Sequence, residues 1–149
     1  MVENIIAVIS AVVGTVGFSF MLRLRKHRLP IIAVSTALCY SVYLLGLYLS
    51  LEDFISNFLA SVFAAFASEF LARKIKAPVT VFLIPTILPL VPGSNLYYTI
   101  EAVFKSDFDT ALTHFAALGR TIGAILLGII TVNTIMKFIR NYQTIKNHR

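Results

Sequence analysis

The sequence predicts an all-α fold: a polytopic integral membrane helical bundle of five transmembrane helices, with the fourth broken at Pro85–Pro92. Three observations carry this. First, the 149-residue chain is 58% hydrophobic, has a mean hydropathy of +0.83, and is only 13% charged. Second, the charges cluster, so that residues 4–22, 29–51, 54–68, 77–100 and 121–136 contain no Asp, Glu, Lys or Arg. About 20 apolar residues cross a bilayer core of roughly 30 Å, and no soluble fold of this length hides five such runs. Third, prolines interrupt the fourth run, in the stretch PTILPLVPGSN over residues 85–95.

Charge position sets the expected topology. Arg23, Arg25, Lys26 and Arg28 follow the first run, Arg73, Lys74 and Lys76 the third, and Lys137, Arg140, Lys146 and Arg149 the last. These are 11 of the 13 Lys and Arg residues, while the opposite loops hold Glu3, Glu52, Asp53, Glu101, Asp107 and Asp109 with only Lys105 and Arg120. Positive loops stay cytoplasmic, which predicts a multi-pass protein of the cell membrane with its N-terminus outside and its C-terminus cytoplasmic. The net charge of +6 is thereby explained without nucleic acid; the partner it implies is the lipid bilayer. The Met-Val-Glu start is acidic and no small-residue cleavage site follows the first run, so that run reads as a retained helix rather than a leader.

The expected helices lie near residues 4–22, 30–50, 54–72, 77–104 and 112–138, in a single domain 1–149. Pro30 suits the first turn of the second helix. The short Leu51-Glu52-Asp53 turn makes helices two and three antiparallel neighbours. Ser56, Ala60, Ala64 and Ser68 form a small-residue stripe on helix three, and Gly119, Gly123, Ala124 and Gly128 a similar one on helix five. Such stripes allow close backbone approach in lipid, and both are read as packing, as is the lone Cys39. The segment EAVFKSDFDTALTHF reads as amphipathic and interfacial, with Tyr97 and Tyr98 at the same level.

The broken fourth helix is the candidate site. Each interior proline removes a backbone donor and frees a carbonyl, and an unsatisfied polar group costs several kcal/mol in hydrocarbon. Broken backbone at membrane depth persists where it is packed in protein or lines a cavity, and transporters aim such half-helix ends at substrates and ions. Pro85, Pro89 and Pro92 break the helix; Gly93 is expected to take a positive φ; Ser94 or Asn95 is expected to cap a restarting helix whose positive end favours an anionic group. The candidate substrate-binding residues are Pro85, Thr86, Pro89, Pro92, Gly93, Ser94, Asn95, Tyr98 and Arg120. A structural kink is the competing reading of the prolines. Arg120 either snorkels to headgroups or attracts a carboxylate. Glu69, the one carboxylate within a span, is the proton-coupling candidate, with an interfacial i,i+4 pair to Arg73 as the simpler reading. His114 reads as a surface residue, and Tyr40, Asn57, Thr131 and Asn133 as packing.

Within this same run, APVTVFLIPTILPLVPGSNLYYTI resembles the threonine/serine exporter family in its short, five-span, C-terminal-half form. Pro85, Pro89, Leu90, Pro92 and Gly93 stand where that family carries Pro-x-x-x-Pro-Leu-x-Pro-Gly. The resemblance implies a subunit of a secondary transporter exporting small amino acids (threonine and serine) or other small carboxylates, working with a second five-span membrane subunit. A non-transporting scaffold subunit and a small homo-oligomeric channel are the alternatives. Enzymatic chemistry has no support: there is no His-Glu-x-x-His, no Gly-x-Ser-x-Gly, no metal-spaced Cys or His cluster and no P-loop. No cofactor or metal is expected, and transport would draw on a gradient or on a partner ATPase.

Overall fold

The computed structural model describes Val2–Asn147, with side chains through Ile139; the basic side chains of Arg140, Lys146 and Arg149 therefore lie outside the described residues. Among the described residues there are six α-helices: α1 (Val2–Met21), α2 (Leu29–Tyr48), α3 (Asp53–Ile75), α4 (Thr80–Ile87), α5 (Gly93–Phe104) and α6 (Phe108–Asn147). No strand occurs among the described residues. Four helices are long and apolar enough to cross a membrane, and α4 with α5, bent by 57°, makes a fifth crossing if the pair is one span. Pro30 sits in the first turn of α2, as expected.

Four helices end in the same way, and none uses glycine. Arg23, Ser50, Lys76 and Ser106 adopt left-handed φ angles of 53°, 57°, 52° and 59°. The next residue in each case donates its N–H back across the last turn: Leu24 to Ser19, Leu51 to Gly46, Ala77 to Ala72 and Asp107 to Ala102, at 2.9–3.1 Å. This is the six-to-one closure of a Schellman motif, which satisfies a carbonyl that the helix end would otherwise orphan.

α3 lies at the centre, packed against α2, α4 and α6, while α1 packs on α2 and α4. Its face is small: Ser56, Ala60, Ser61, Ala64, Ala65 and Ser68 are buried. On α2, Gly46 lies so close to Ser56 that an added Cβ would meet its Oγ at 2.6 Å; on α6, Gly128 sits against Ser61 and the Phe58 carbonyl. Lipid gives no hydrophobic drive between helices, so this close approach is what holds them. The expectation for helix five holds only in part. Ala124 and Gly128 pack inside the chain, whereas Gly119 and Gly123 face no atom of it.

Two buried clusters stack along the bundle. Ile32, Ala72 and Phe82 lie at the end that carries the Arg23–Arg28 and Lys74–Lys76 segments, and Cys39, Ala60, Ala64, Leu90 and Ile125 lie above them. Thr121 meets Asp53 at the far end, so α6 runs parallel to α3. Residues 108–120 therefore precede the start of α3, and with α5 they form a hairpin beyond the α2–α3 turn. α6 contains the expected fifth helix of 112–138 and extends it at both ends, over Phe108–Asn147. The amphipathic segment is divided between the end of α5, a tight turn at Lys105–Asp107 and the first turns of α6.

Candidate functional site

The break in the fourth span follows from which N–H groups are missing. Pro89 cannot donate to the Pro85 carbonyl four residues back, and Pro92 cannot donate to that of Leu88. The chain tightens instead: Leu88–Leu90 form a 3₁₀ turn, in which Leu88 N–H bonds the Pro85 carbonyl and Val91 N–H that of Leu88. Val91 is extended (φ −64°, ψ 125°), the conformation that a following proline imposes. The Pro85 carbonyl accepts a second bond, from the Thr15 hydroxyl of α1 at 3.4 Å.

Two expectations about the restart are corrected. No glycine has a positive φ among the described residues, so Gly93 does not supply an unusual angle; Val91 and Pro92 (φ −77°, ψ 65°) make the turn. Ser94 and Asn95 do not cap α5 either. They lie inside its first turn, with Pro92 in the capping position and no side-chain cap. The N–H groups of Gly93 and Leu96 bond Val91 and Pro92, while those of Ser94 and Asn95 have no acceptor in the preceding turn.

Above this turn is a polar cavity of about 190 Å³. Pro89, Leu90, Val91, Pro92, Ser94 and Asn95 form one wall. Tyr40 and Tyr43 of α2, Asp53 and Asn57 of α3, and Thr121 of α6 form the others. Asp53 is the charged group in it. Its Oδ1 accepts from the Tyr43 hydroxyl at 3.0 Å, and its Oδ2 lies 3.4 Å from the Thr121 hydroxyl, whose single proton is shared with the Ala117 carbonyl at 3.2 Å. Asn57 donates to the Asp53 backbone carbonyl at 2.9 Å, which leaves its amide oxygen available. The Tyr40 and Tyr43 rings lie side by side, tilted by 39° with centroids 5.7 Å apart.

Of the residues expected from the sequence, Pro89, Pro92, Ser94 and Asn95 come together here; Gly93 lies between two of them on the same turn. The others do not line the cavity. Pro85 and Thr86 are buried deeper in α4. Tyr98 turns away and stacks on His114, with centroids 5.3 Å apart. Arg120 is 71% exposed and faces Glu52 at 3.8 Å, on the rim rather than inside. Glu69 lies toward the opposite end of α3, where its Oε1 accepts from Arg73 at 2.9 Å, the i,i+4 pair anticipated from the sequence.

Asp53, Tyr40, Tyr43, Asn57 and Thr121 were not expected in the site. A signal existed: Asp53 and Asn57 share one face of α3 at i,i+4, continuous with the small-residue stripe. A second polar feature lies deeper. Thr36, Ser68 and Thr86 are buried with no hydroxyl partner among the described residues. Each lies four residues from a member of the Ile32–Ala72–Phe82 cluster, one on each of α2, α3 and α4. Among the described residues there is no group of His, Cys, Asp and Glu able to hold a metal ion.

In comparison with known proteins, the family model described as Threonine/Serine exporter, ThrE, matches residues 7–135. No curated protein and no solved structure matches the chain.

Proposed function

The chain belongs to the threonine/serine exporter family, a family of membrane transporters, and from that premise we propose that its 190 Å³ cavity is where a small amino acid is held during export. One observation carries the reading: the cavity has opposite electrostatic demands on its two sides. The Asp53 carboxylate suits an ammonium group. The first turn of α5, with the unpaired N–H groups of Ser94 and Asn95 and the positive end of the helix dipole, suits a carboxylate. An α-amino acid carries both. The hydroxyls of Tyr40, Tyr43 and Thr121 and the Asn57 amide supply partners for a side-chain hydroxyl, as threonine and serine possess. The volume is below the roughly 300–1,000 Å³ of drug-sized pockets, and it suits a metabolite of few heavy atoms.

The chain works in this reading as one module of a secondary transporter in the cell membrane, with its N-terminus outside and the cavity near the outer end. A second five-span subunit, or a second copy, completes the path. Gly14, Gly17, Gly119 and Gly123 support this, since all four lie on faces open to a neighbour's close approach. Glu69, buried and near the basic end, is the group through which a proton gradient would be coupled. Glu69→Gln should then flatten the pH dependence of export.

The test is equilibrium binding of radiolabelled threonine to the purified chain, together with any subunit that co-purifies. Asp53→Asn keeps the shape and removes the charge. A charge-assisted hydrogen bond is worth about 1.5–3 kcal/mol, so affinity should fall by roughly ten-fold or more. Unchanged binding in both Asp53→Asn and Asn57→Ala would show that the cavity is not the site. A preparation that moves threonine with no partner present would favour the homo-oligomeric channel.

A further inference from the structure

Asn95 lines the polar cavity, and its partner His114 lines, with Tyr98, a separate smaller cleft of about 130 Å³. His114, on α6, places its Nδ1 3.4 Å from Asn95 Oδ1. Its ring is fixed by stacking on Tyr98 at 5.3 Å with the planes 30° apart. The Asn95 backbone carbonyl has a different partner, the Thr99 hydroxyl at 2.7 Å. The bond from His114 therefore acts on the carboxamide alone.

A carboxamide has two chemically opposite ends, an oxygen that accepts and an NH₂ that donates. Which end faces the cavity decides whether Asn95 attracts or repels a carboxylate. Oδ1 can only accept, so its bond to Nδ1 forms with that nitrogen carrying the proton, as both the Nδ1–H tautomer and the imidazolium do. With the oxygen held on the His114 side, the NH₂ is left for the cavity. It then joins the Ser94 and Asn95 backbone N–H groups, making three donors on one wall.

We propose that His114 is a positioning residue for substrate: it fixes the Asn95 amide so that its NH₂ is presented to the substrate's carboxylate. The assignment rests on the cavity being the substrate site. It makes His114, on the outer hairpin, part of carboxylate recognition although it does not line the cavity.

The experiment is a double-mutant cycle read by binding of threonine and of threoninol, which lacks the carboxylate. His114→Phe keeps a ring to stack on Tyr98 and removes the donor. It should weaken threonine about five-fold or more, the size of one ordinary hydrogen bond, and leave threoninol unchanged. In an Asn95→Ala background the same substitution should add nothing. His114→Asn, which can place an amide N–H near the position of Nδ1, should recover most of the loss. Additive effects of His114→Phe and Asn95→Ala, or equal weakening of threonine and threoninol, overturn the proposal. If Asp53→Asn and Asn95→Ala weaken threonine while His114→Phe does not, the positioning role alone falls. If none of the three has an effect, the cavity reading falls with it.

Discussion

The Thr15 hydroxyl on α1 donates to the Pro85 carbonyl on α4, 3.4 Å away and 70 residues along the chain. That carbonyl would normally accept from residue 89, which is proline and has no N–H to give. The proline that opens the helix and the threonine that closes the deficit are thus two parts of one device. Thr15 is fully buried on a helix that otherwise buries only Ser19, so α1 is tied to the break by polar chemistry more than by apolar packing. Ser19 in turn donates to the Thr15 carbonyl at 2.8 Å.

Removing the Thr15 hydroxyl should therefore matter most when Pro89 is present. Thr15→Val leaves the Pro85 carbonyl with only its 3₁₀ bond and should cost about 1 kcal/mol in thermal unfolding; Thr15→Ser should cost less. Pro89→Ala restores a helical donor to the same carbonyl, so the Thr15→Val penalty should shrink in that background. Equal penalties in both backgrounds would show that Thr15 acts through packing.

Gly93 offers a sharp contrast with its proline neighbours. Its φ is not positive, and an added Cβ would meet nothing within 4 Å. Gly93→Ala should therefore leave threonine binding within about two-fold and raise stability slightly, because alanine is the better helix former by up to about 1 kcal/mol. Loss of folding on this substitution would mean that the turn demands glycine after all.

The break was legible in the sequence because a missing N–H is written into the residue name: Pro85, Pro89 and Pro92 specify which carbonyls lose their donors. What replaces those donors was not legible. Thr15 is remote in sequence and sits in an apolar run like any other small polar residue. Asp53 read as one of the acidic residues of the short turn between helices two and three. Only the packing of α3 on α2 and α6 turns it toward Pro92. The chain reversals misled in the other direction. Glycine is the expected left-handed residue, yet Arg23, Ser50, Lys76 and Ser106 take that role, and Gly93 does not.

The orientation expected from the charges, with the N-terminus outside, is open to direct labelling. In a Cys39→Ser background, single cysteines at Asp53 and Asp107 should react with impermeant maleimides from outside. Cysteines at Lys26 and Lys74 should react only after permeabilisation. Labelling of 26 and 74 from opposite sides would mean that α2 and α3 do not form the antiparallel pair of crossings the fold requires.

The glycines of α6 separate contacts within the chain from contacts beyond it. A Cβ on Gly128 would run into the Ser61 hydroxyl and lie 3.0 Å from the Phe58 carbonyl, which is backbone and cannot swing aside. Gly128→Ala should force α6 away from α3 and cost about 1–3 kcal/mol, the usual range for overpacking a tight contact. Ser61→Ala removes the nearest obstacle, so part of that cost should be recovered in the double variant. Gly119 and Gly123, by contrast, face open space. Gly119→Leu and Gly123→Leu should leave the thermal stability of the isolated chain unchanged or slightly higher. In the membrane the outcome depends on what covers that face. If a second subunit or second copy packs there through close backbone approach, both leucines should abolish cross-linking between subunits and threonine export while threonine binding to the isolated chain survives. Export and cross-linking that persist in both leucine variants would place the assembly contact elsewhere and leave this face to lipid.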